Sequence, residues 1–495
     1  MEEIFVNDFI FVLPEFLFVF SLLLIIPFGV TFNSAHIQVN KLLSRQILLI
    51  SLVTLLFIFL LYLDFFSFNI EILAGVFSRD SLKYFILLLV FFGVFAILSL
   101  SDQYVSKNSL SDYELILLIL CVLLGSICIL FSNEFLTIYL GIELQGLSLY
   151  ILATLKPNST YSTEAGLKYF VLGAFASSIL LFGFCLFYGA TGILNLNDLK
   201  LLSFENSSSF LDNFTNLSVI FIFIGLIFKV GGAPFHFWVP DVYEGVPTLI
   251  TGFFSIVPKL VIFSLFLNLI YGGFLYFCDK GLLILLYSGV LSVIIGSLGG
   301  LNQLSIKRLL AYSAIAQAGF LLYGISTYTA ESFVAVLVYL VIYVCLLINL
   351  FSILLTFTQR INGDSLKLIK NLRYLFKYSP LVSISFVLSL FGLAGIPPLN
   401  GFFSKLLIFF AAIKGGYILT GILCIMVSII GCVYYLYMIR TVSVVQRTNQ
   451  WLFFTDSNYM NALVISYSLL INLLFLIYSD ILLTICYNVE LNYFI

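Results

Sequence analysis

The chain has 495 residues, of which 62% are hydrophobic and only 9% are charged, with a formal net charge of −2 and a mean hydropathy of +1.16. Because soluble domains carry about a quarter charged residues, this composition excludes a soluble globular protein and predicts an integral membrane protein. The sequence lacks the alternating pattern of a barrel, and an open sheet cannot satisfy its backbone in lipid, so the spans are predicted to be helices. The near-neutral charge argues against a nucleic-acid partner.

Fourteen apolar segments follow one another along the chain, each near the ~20 residues that a bilayer core requires. They cover residues 9–30, 46–66, 82–100, 114–131, 134–155, 165–190, 213–235, 247–271, 281–300, 303–326, 330–357, 379–410, 417–440 and 460–487. The fold is therefore predicted to be an all-α polytopic membrane protein. The opening MEEIFVND has acids and no Lys or Arg, and the first segment is long enough to span, so a cleavable signal is not expected.

Positive charges are unevenly distributed among the connections between these segments. Those after odd-numbered helices hold fourteen Lys and Arg, against five after even-numbered helices. The positive-inside rule then predicts an alternating path with both termini on the side opposite the positive loops. Residues 366–377 are expected to form a plain positively charged loop, the alternative being a segment that lies along the membrane surface.

Four charged residues lie deep inside predicted spans, away from the helix ends: Glu143, Lys229, Lys259 and Lys405. A charge at the bilayer centre costs about 2.5–3.5 kcal/mol on insertion scales, so these groups must face one another, water or a protein interior. Glu143, in IYLGIELQGLSLY, is the expected partner of Lys229, since an opposite charge within several ångströms keeps both groups ionised. Separating such a pair would favour proton release from the lysine. A purely structural ion pair is the alternative.

The stretch FKVGGAPFHFW predicts that the seventh helix is broken beside Lys229. Pro234 removes a backbone donor, and Gly231 and Gly232 weaken the preceding turn. The break is expected to expose carbonyls to water or to a cationic group, because irregular backbone in a membrane is tolerated only there or within protein. The alternative is a proline-kinked helix whose lysine reaches the interface.

A second interruption, LAGIPPLNGFFSK, lies in the twelfth segment and contains Gly395, Pro397 and Pro398. Lys229 precedes the first break and Lys405 follows the second. We interpret this reversed order as the mark of an inverted repeat, and paired interruptions in two halves indicate a transport site.

The remaining polar candidates allow two interpretations each. Lys259 follows Pro258 and is either a relay between the broken helices or a lysine bonded to a nearby carbonyl. His236, with Asp241 and Glu244 in the next turn, marks either a site of proton uptake or release or a histidine that caps the loop. None of the eight cysteines has CxxC spacing, so neither a metal site nor an iron–sulfur cluster is expected.

The stretches KVGGAPFHFWVPDVYEGVPT, KRLLAYSAIAQAGF and AGIPPLNGFFSK resemble the antiporter-like membrane subunits of respiratory complex I, NADH:ubiquinone oxidoreductase. The forms IELQ, DVYEG and AGIPPLNGF resemble the chain 2 branch of that family. The resemblance covers roughly residues 134–440. It implies two inverted five-helix repeats, helices 4–8 (113–272) and 9–13 (273–440), with broken helices 7 and 12, after an N-terminal three-helix segment (1–112) and before a last helix (441–495).

The resemblance also implies roles for particular residues. Glu143 and Lys229 would be a coupled pair, Lys259 the connecting lysine and Lys405 the distal one. Gln317 stands where the family commonly has histidine. Because glutamine carries no charge, a relay at that point is expected to depend on water or on Lys259.

The function implied is that of a proton-translocating subunit that couples redox energy from other subunits to pumping. No cofactor is expected in this chain; NADH, FMN, iron–sulfur clusters and ubiquinone would belong to the wider complex. Chain 4, chain 4L and membrane lipids are the expected neighbours. A subunit of a stand-alone cation/proton antiporter, or a scaffold subunit whose charges are relics, are the alternatives.

Cellular location is inferred from the usage of amino acids. Fifty-four phenylalanines and 29 tyrosines, beside many Leu, Ile and Asn, indicate an AT-rich genome such as a mitochondrial one. The expected location is the mitochondrial inner membrane, with both termini on the intermembrane-space side, and the alternative is a bacterial plasma membrane.

Overall fold

The computed structural model describes residues 2–32, 37–64, 70–108, 112–156, 158–202, 209–274, 279–357, 367–443 and 459–494. The N-terminal part contains α1 (Glu2–Phe32), α2 (Ile37–Asp64), the antiparallel hairpin β1 (Ile70–Ile72) and β2 (Phe77–Arg79), and α3 (Ser81–Asn108). Next come α4 (Asp112–Phe131), α5 (Phe135–Ala153), α6 (Thr160–Thr191), α7 (Leu196–Leu202), α8 (Ser209–Val230), α9 (Trp238–Gly245) and α10 (Thr248–Asn268), which a π-helical turn, Leu269–Gly273, extends.

The second half begins with α11 (Asp279–Gly300), α12 (Ile306–Ser326) and α13 (Ala330–Thr356). A 3₁₀ helix (Ile369–Tyr374) leads into α14 (Leu375–Tyr378), α15 (Pro380–Ala394), α16 (Asn400–Lys414) and α17 (Ile418–Ser443). The last helices are α18 (Tyr459–Ile477) and α19 (Ser479–Phe494).

The all-α membrane fold predicted from the sequence is confirmed. Twelve of the described helices are long and apolar enough to cross a membrane. The predicted twelfth span is divided into α15 and α16, and the predicted fourteenth into α18 and α19, which are bent by 88°. The helix of the seventh predicted segment, α8, ends at Val230, before the predicted segment does.

The helices at the centre of the bundle are the ones most completely enclosed by protein. The apolar windows of α10, α12 and α13 are each 94% buried, whereas those of α1 and α17 are 22% and 33% buried. Outer helices can expose leucine and phenylalanine to lipid, so their apolar surface requires no protein partner. The enclosed helices can hold charges, because protein surrounds them.

The connections after α2, α4 and α6 meet at one end of the bundle. Phe77 of β2 forms a bridge with Ser132, and the Asn133 and Asn195 side-chain amides both donate to the carbonyl of Gly75 at 3.2 Å. These connections follow predicted even-numbered helices. Their contact at a single end is what an alternating path requires.

The prediction of a plain loop at residues 366–377 is wrong for the part that the structure describes. From Ile369 the chain forms the 3₁₀ helix and then α14. Ile369, Leu372 and Leu375 recur every three residues and are all buried. This spacing places the apolar side chains on one face of a 3₁₀ helix, which explains the local structure.

Candidate functional site

The first predicted break is present, and a glycine ends the helix. α8 ends at Val230, and Gly231 follows with a φ of 81°, a conformation that favours glycine. The amide nitrogens of Gly231 and Gly232 both donate to the carbonyl of Ile227, at 3.1 and 2.9 Å. The chain becomes helical again only at Trp238. The alternative of a kinked but continuous helix is therefore wrong.

The second predicted break has the same backbone hydrogen bonds in the same chain order. α15 ends at Ala394, and Gly395 follows with a φ of 79°. The amides of Gly395 and Ile396 both donate to the carbonyl of Phe391, at 3.0 and 3.3 Å. Helix α16 begins at Asn400.

The predicted helix-breaking prolines lie in the loops and not inside the helices. Pro234 and Pro398 each follow the left-handed glycine by three residues, and Pro397 precedes Pro398; the Ala233–Pro234 and Pro397–Pro398 bonds are cis. Since both helices have already ended at the glycine, the prolines occupy the position past the cap where they are common.

The two lysines do not occupy equivalent positions relative to these matching breaks. Lys229 lies two residues before Gly231, and Lys405 lies ten residues after Gly395. Inverting a repeat in the membrane leaves its chain order unchanged, so inversion does not explain the reversed order of lysine and proline. The reversed order therefore gives no support to an inverted repeat, which stays a prediction, although the break itself recurs.

Lys229 lies against α5. Its Nζ donates to the Tyr150 hydroxyl at 3.2 Å, and a Cβ added to Gly146 would lie 3.7 Å from the same Nζ. Glu143 precedes Gly146 by three residues and therefore lies on the same helix face. Its Oε1 is buried without a hydrogen-bond partner among the described residues. Lys229 thus lies against the face of α5 that carries Glu143, but its hydrogen bond goes to Tyr150 on that helix and not to the predicted partner.

One of the carbonyls that the first break was expected to expose is instead hydrogen-bonded within the protein. The carbonyl of Phe228 accepts a hydrogen bond from the Trp238 indole at 3.1 Å, and Trp238 stacks on Tyr169 with ring centroids 4.8 Å apart. The indole returns from the start of α9 and closes the break. Lys229 consequently turns towards α5 and not towards the carbonyls of its own helix end.

Lys259 connects α10 to α12. Its side chain is buried, and its Nζ donates to the carbonyl of Ala314 at 2.8 Å. This is the carbonyl contact that was one of the two interpretations of the sequence. Ala314 lies three residues before Gln317, so the amine lies one helical turn from that residue.

Lys405 is held by the second break. Its Nζ donates to the carbonyls of Ala394 and Leu393, at 2.8 and 3.1 Å, and lies 5.2 Å from the centre of the Phe320 ring. Here the carbonyls at the helix end do bind a cationic group. The Ala394 carbonyl also accepts a hydrogen bond from the Cys432 thiol at 3.3 Å.

Gln317 is hydrogen-bonded at both ends of its amide. Its Nε2 donates to the Leu393 carbonyl at 3.1 Å, the same oxygen that accepts from Lys405, and its Oε1 accepts from the Tyr339 hydroxyl. A continuous series of neighbours therefore leads from Lys259 along α12 to Gln317 and on to Lys405. Sequence reasoning missed Tyr339 and Cys432, because nothing in their spacing signals a contact with another helix.

His236, Asp241 and Glu244 do not join the buried lysines. His236 is buried in the loop before α9, and this burial lowers the pKa of its imidazole below the ordinary value. Asp241 pairs with Lys168 at 2.8 Å and with Arg308 at 3.8 Å, and Glu244 pairs with Arg308 at 3.4 Å. The two carboxylates thus link α9 to α6 and α12 at the surface.

The described residues contain no group of three or more His, Cys, Asp and Glu that could hold a metal ion. The site consists instead of amines, amide groups, hydroxyls and one carboxylate. These groups can hold, orient or transfer protons.

The family described as NADH:quinone oxidoreductase/Mrp antiporter, transmembrane, matches residues 132–431. Subunit N of the NADH-quinone oxidoreductase of Pelagibacter ubique is 35% identical over 481 residues, which are 97% of this chain and 99% of the relative. Chain 2 of the NADH-ubiquinone oxidoreductase of Marchantia polymorpha is 31% identical over 499 residues, or 98% of this chain and 99% of the relative. The chain belongs to this family.

Solved structures agree with membership in this family, to which subunit N and chain 2 of these oxidoreductases also belong. A chain of respiratory complex I from Thermus thermophilus aligns with a TM-score of 0.76 at 27% identity, over 94% of this chain and 98% of that one. A chain of the Mrp complex of Dietzia sp. aligns with a TM-score of 0.78 at 19% identity, over 97% and 98%, which shows a common fold. The resemblance to complex I is confirmed: the chain is a proton-translocating subunit of its membrane arm.

Proposed function

We propose that Glu143, Lys229, Lys259 and Lys405 form the proton path of this complex I subunit. The proposal rests chiefly on one observation: the Leu393 carbonyl accepts hydrogen bonds from both Lys405 and Gln317. Gln317 in turn lies one turn of α12 after Ala314, whose carbonyl binds Lys259. Buried amines linked in this way can exchange protons over short distances. A structural role alone would not require three lysines inside one membrane domain, given the cost of placing each charge there.

Glu143 of α5 and Lys229 of α8 form the start of this proton path. With its amine near Glu143, Lys229 is stabilised as an ammonium by the opposite charge. With its amine on Tyr150, it keeps one hydrogen bond but loses part of that stabilisation, since a hydroxyl is neutral. A conformational or electrostatic shift that originates in other subunits would move the amine between these positions and change its affinity for a proton.

The second half of the path delivers the proton to the distal lysine. Lys259 receives a proton that originates from Lys229. The proton then passes Gln317 and reaches Lys405. Gln317 holds the Leu393 carbonyl in place by its hydrogen bond. Because an amide does not ionise, Gln317 cannot carry the proton itself, and water carries the proton past it. His236, Asp241 and Glu244 would act where the path meets the surface.

The further assignments follow the predicted organisation. Two inverted repeats, residues 113–272 and 273–440, each contribute one broken helix, between an N-terminal segment (1–112) and a last segment (441–495). The chain carries out no electron transfer of its own; NADH, FMN, iron–sulfur clusters and ubiquinone are bound by other subunits. Chain 4 and chain 4L are its neighbours in the mitochondrial inner membrane, and both termini face the intermembrane space.

The test is Lys229→Ala in the complete complex, reconstituted into vesicles. NADH-driven proton pumping should fall while the complex still assembles, because alanine adds no bulk and leaves the packing of α8 against α6 intact. Lys414→Ala is the matched control, since Lys414 is exposed and pairs with Glu331 at the surface. Normal turnover with an unchanged number of protons per electron in Lys229→Ala would overturn the assignment.

A further inference from the structure

A cavity of about 10 Å³ lies beside Lys405, between α12, α13, α15 and α16, with Tyr343, Ser404 and Gln317 in its wall. This volume corresponds to about one water molecule. Apolar cavities stay dry, but this wall contains hydroxyl, amide and ammonium groups. It therefore provides the two to four polar partners that a buried water requires.

The Tyr343 hydroxyl is the group in this wall without a hydrogen bond. The residue is 3% exposed, and its oxygen has no hydrogen-bond partner among the described residues. The other polar side chains of the wall are engaged: Tyr339 donates to Gln317, and Ser404 donates to the Gly401 carbonyl at 3.0 Å. Buried hydroxyls in native proteins almost always bond to protein or to ordered water, so the Tyr343 hydroxyl indicates a bound water.

The Lys405 ammonium also has a donor to spare. An ammonium has three N–H groups, and two of these bond to the Ala394 and Leu393 carbonyls. The third is left to the cavity or to the face of the Phe320 ring at 5.2 Å. A water between Lys405 and Tyr343 would accept this third hydrogen and bond to the tyrosine at the same time.

We propose that Tyr343 is a positioning residue that holds, in this cavity, the water through which Lys405 exchanges its proton. In the step itself an N–H bond of Lys405 breaks and an O–H bond forms on the water. The water then gives a different proton to the next water of the path, so that it is regenerated and the amine is left neutral. Tyr343 keeps its own proton and contributes only a hydrogen bond. This inference rests on the proposed role of Lys405.

Three substitutions in the complete complex separate the water from the packing. Tyr343→Phe removes the hydroxyl and keeps the ring, Ser404→Val adds carbon atoms at the cavity wall, and Ser404→Ala leaves the cavity open. We expect the first two to slow NADH-driven pumping by about fivefold, the effect of one net hydrogen bond, and to change the solvent isotope effect. Ser404→Ala leaves the cavity open and should therefore pump faster than Ser404→Val.

The matched control is Tyr323→Phe. Tyr323 is buried like Tyr343, but its hydroxyl donates to a protein group, the Tyr417 carbonyl at 3.1 Å, and lies towards the far end of α12. Its pumping rate and isotope effect should equal those of the parent. A high-resolution cryo-EM map of the parent complex should contain a water density within hydrogen-bond distance of both the Tyr343 hydroxyl and Lys405 Nζ, and the map of Tyr343→Phe should lack it.

The possible failures are distinct. If Lys405→Ala pumps normally, the proposed function fails. If Lys405→Ala is inactive while Tyr343→Phe and Ser404→Val pump normally, only the role of Tyr343 is overturned. A map in which the Tyr343 hydroxyl bonds directly to a protein group, without an intervening water, would also overturn it.

Discussion

The amine of Lys229 donates its hydrogen bond to the hydroxyl of Tyr150, while Oε1 of Glu143, on the same face of α5, has no hydrogen-bond partner among the described residues. Tyrosine and glutamate are therefore alternative partners for one amine. Glu143 offers a full charge, and Tyr150 offers a neutral oxygen that holds the amine without fixing its proton. The balance between them determines how readily Lys229 releases a proton.

Removing the Tyr150 hydroxyl should shift this balance towards Glu143. In Tyr150→Phe the ring is retained, the amine loses its observed acceptor, and the ion pair with the carboxylate becomes the better alternative. We expect NADH-driven proton pumping and turnover to fall about fivefold, the equivalent of one net hydrogen bond. Both rates are measured in vesicles, with Tyr188→Phe, an exposed tyrosine on α6, as the control. Unchanged rates in Tyr150→Phe would contradict a role for this hydroxyl.

The same hydroxyl can be displaced without altering tyrosine, lysine or glutamate. A Cβ at Gly173 of α6 would overlap the Tyr150 hydroxyl oxygen, so Gly173→Ala forces the tyrosine to move. The pumping rate of Gly173→Ala should resemble that of Tyr150→Phe. Gly189→Ala on the same helix is the matched control, because a Cβ there has no atom within 4 Å. If both alanine variants pump at the parental rate, the Lys229–Tyr150 contact has no effect on the reaction.

The sequence predicted the features that depend on local chemistry. Glycines end α8 and α15 because Gly231 and Gly395 adopt left-handed conformations, and charges inside apolar spans identified the lysines without any structure. The side-chain partners depend on how separate helices pack. Trp238 closing the first break and Cys432 reaching the second are contacts between segments that spacing does not relate. Tyr150 was the exception that could have been found, since it lies seven residues after Glu143 and hence on the same face.

Substituting Gln317 by histidine tests whether a positive charge beside Lys405 slows proton pumping. In Gln317→His, a neutral imidazole has one donor and one acceptor, which match the Leu393 carbonyl and the Tyr339 hydroxyl that bind the amide. At high pH we expect near-parental pumping. Once the imidazole is protonated at lower pH, it would present a second positive charge near Lys405 and oppose its loading.

The measurement for this substitution is a pH profile of NADH-driven pumping for the parent and for Gln317→His, with Gln317→Ala beside them. The ratio of the pumping rate of the histidine variant to that of the parent should decrease as the pH is lowered. Gln317→Ala removes both hydrogen bonds and should be slow at every pH. A constant ratio across the profile would show that charge at this position does not reach Lys405.

A buried ion pair attaches the N-terminal helices to the rest of the chain. Arg79 is 1% exposed, and its Nη2 donates to both carboxylate oxygens of Glu15, at 2.7 and 2.9 Å. Its guanidinium also donates to the Tyr84 hydroxyl and lies 5.1 Å from the centre of the Phe131 ring. The pair thereby joins α1, the hairpin, α3 and α4, at a distance in sequence from the proposed proton path.

Neutralising one member of this pair should affect stability more than pumping. In Glu15→Gln the buried Arg79 charge loses its carboxylate, which typically costs about 3–5 kcal/mol. The expected result is a lower thermal unfolding temperature of the purified complex, with normal proton stoichiometry in the molecules that remain assembled. Glu331→Gln is the control: it breaks the exposed pair with Lys414, which should change stability by less than about 1 kcal/mol.

The double variant Glu15→Gln/Arg79→Met should recover much of the stability lost in Glu15→Gln, because it removes the buried charge itself. Equal unfolding temperatures for Glu15→Gln and Glu331→Gln would show that burial adds nothing to this ion pair.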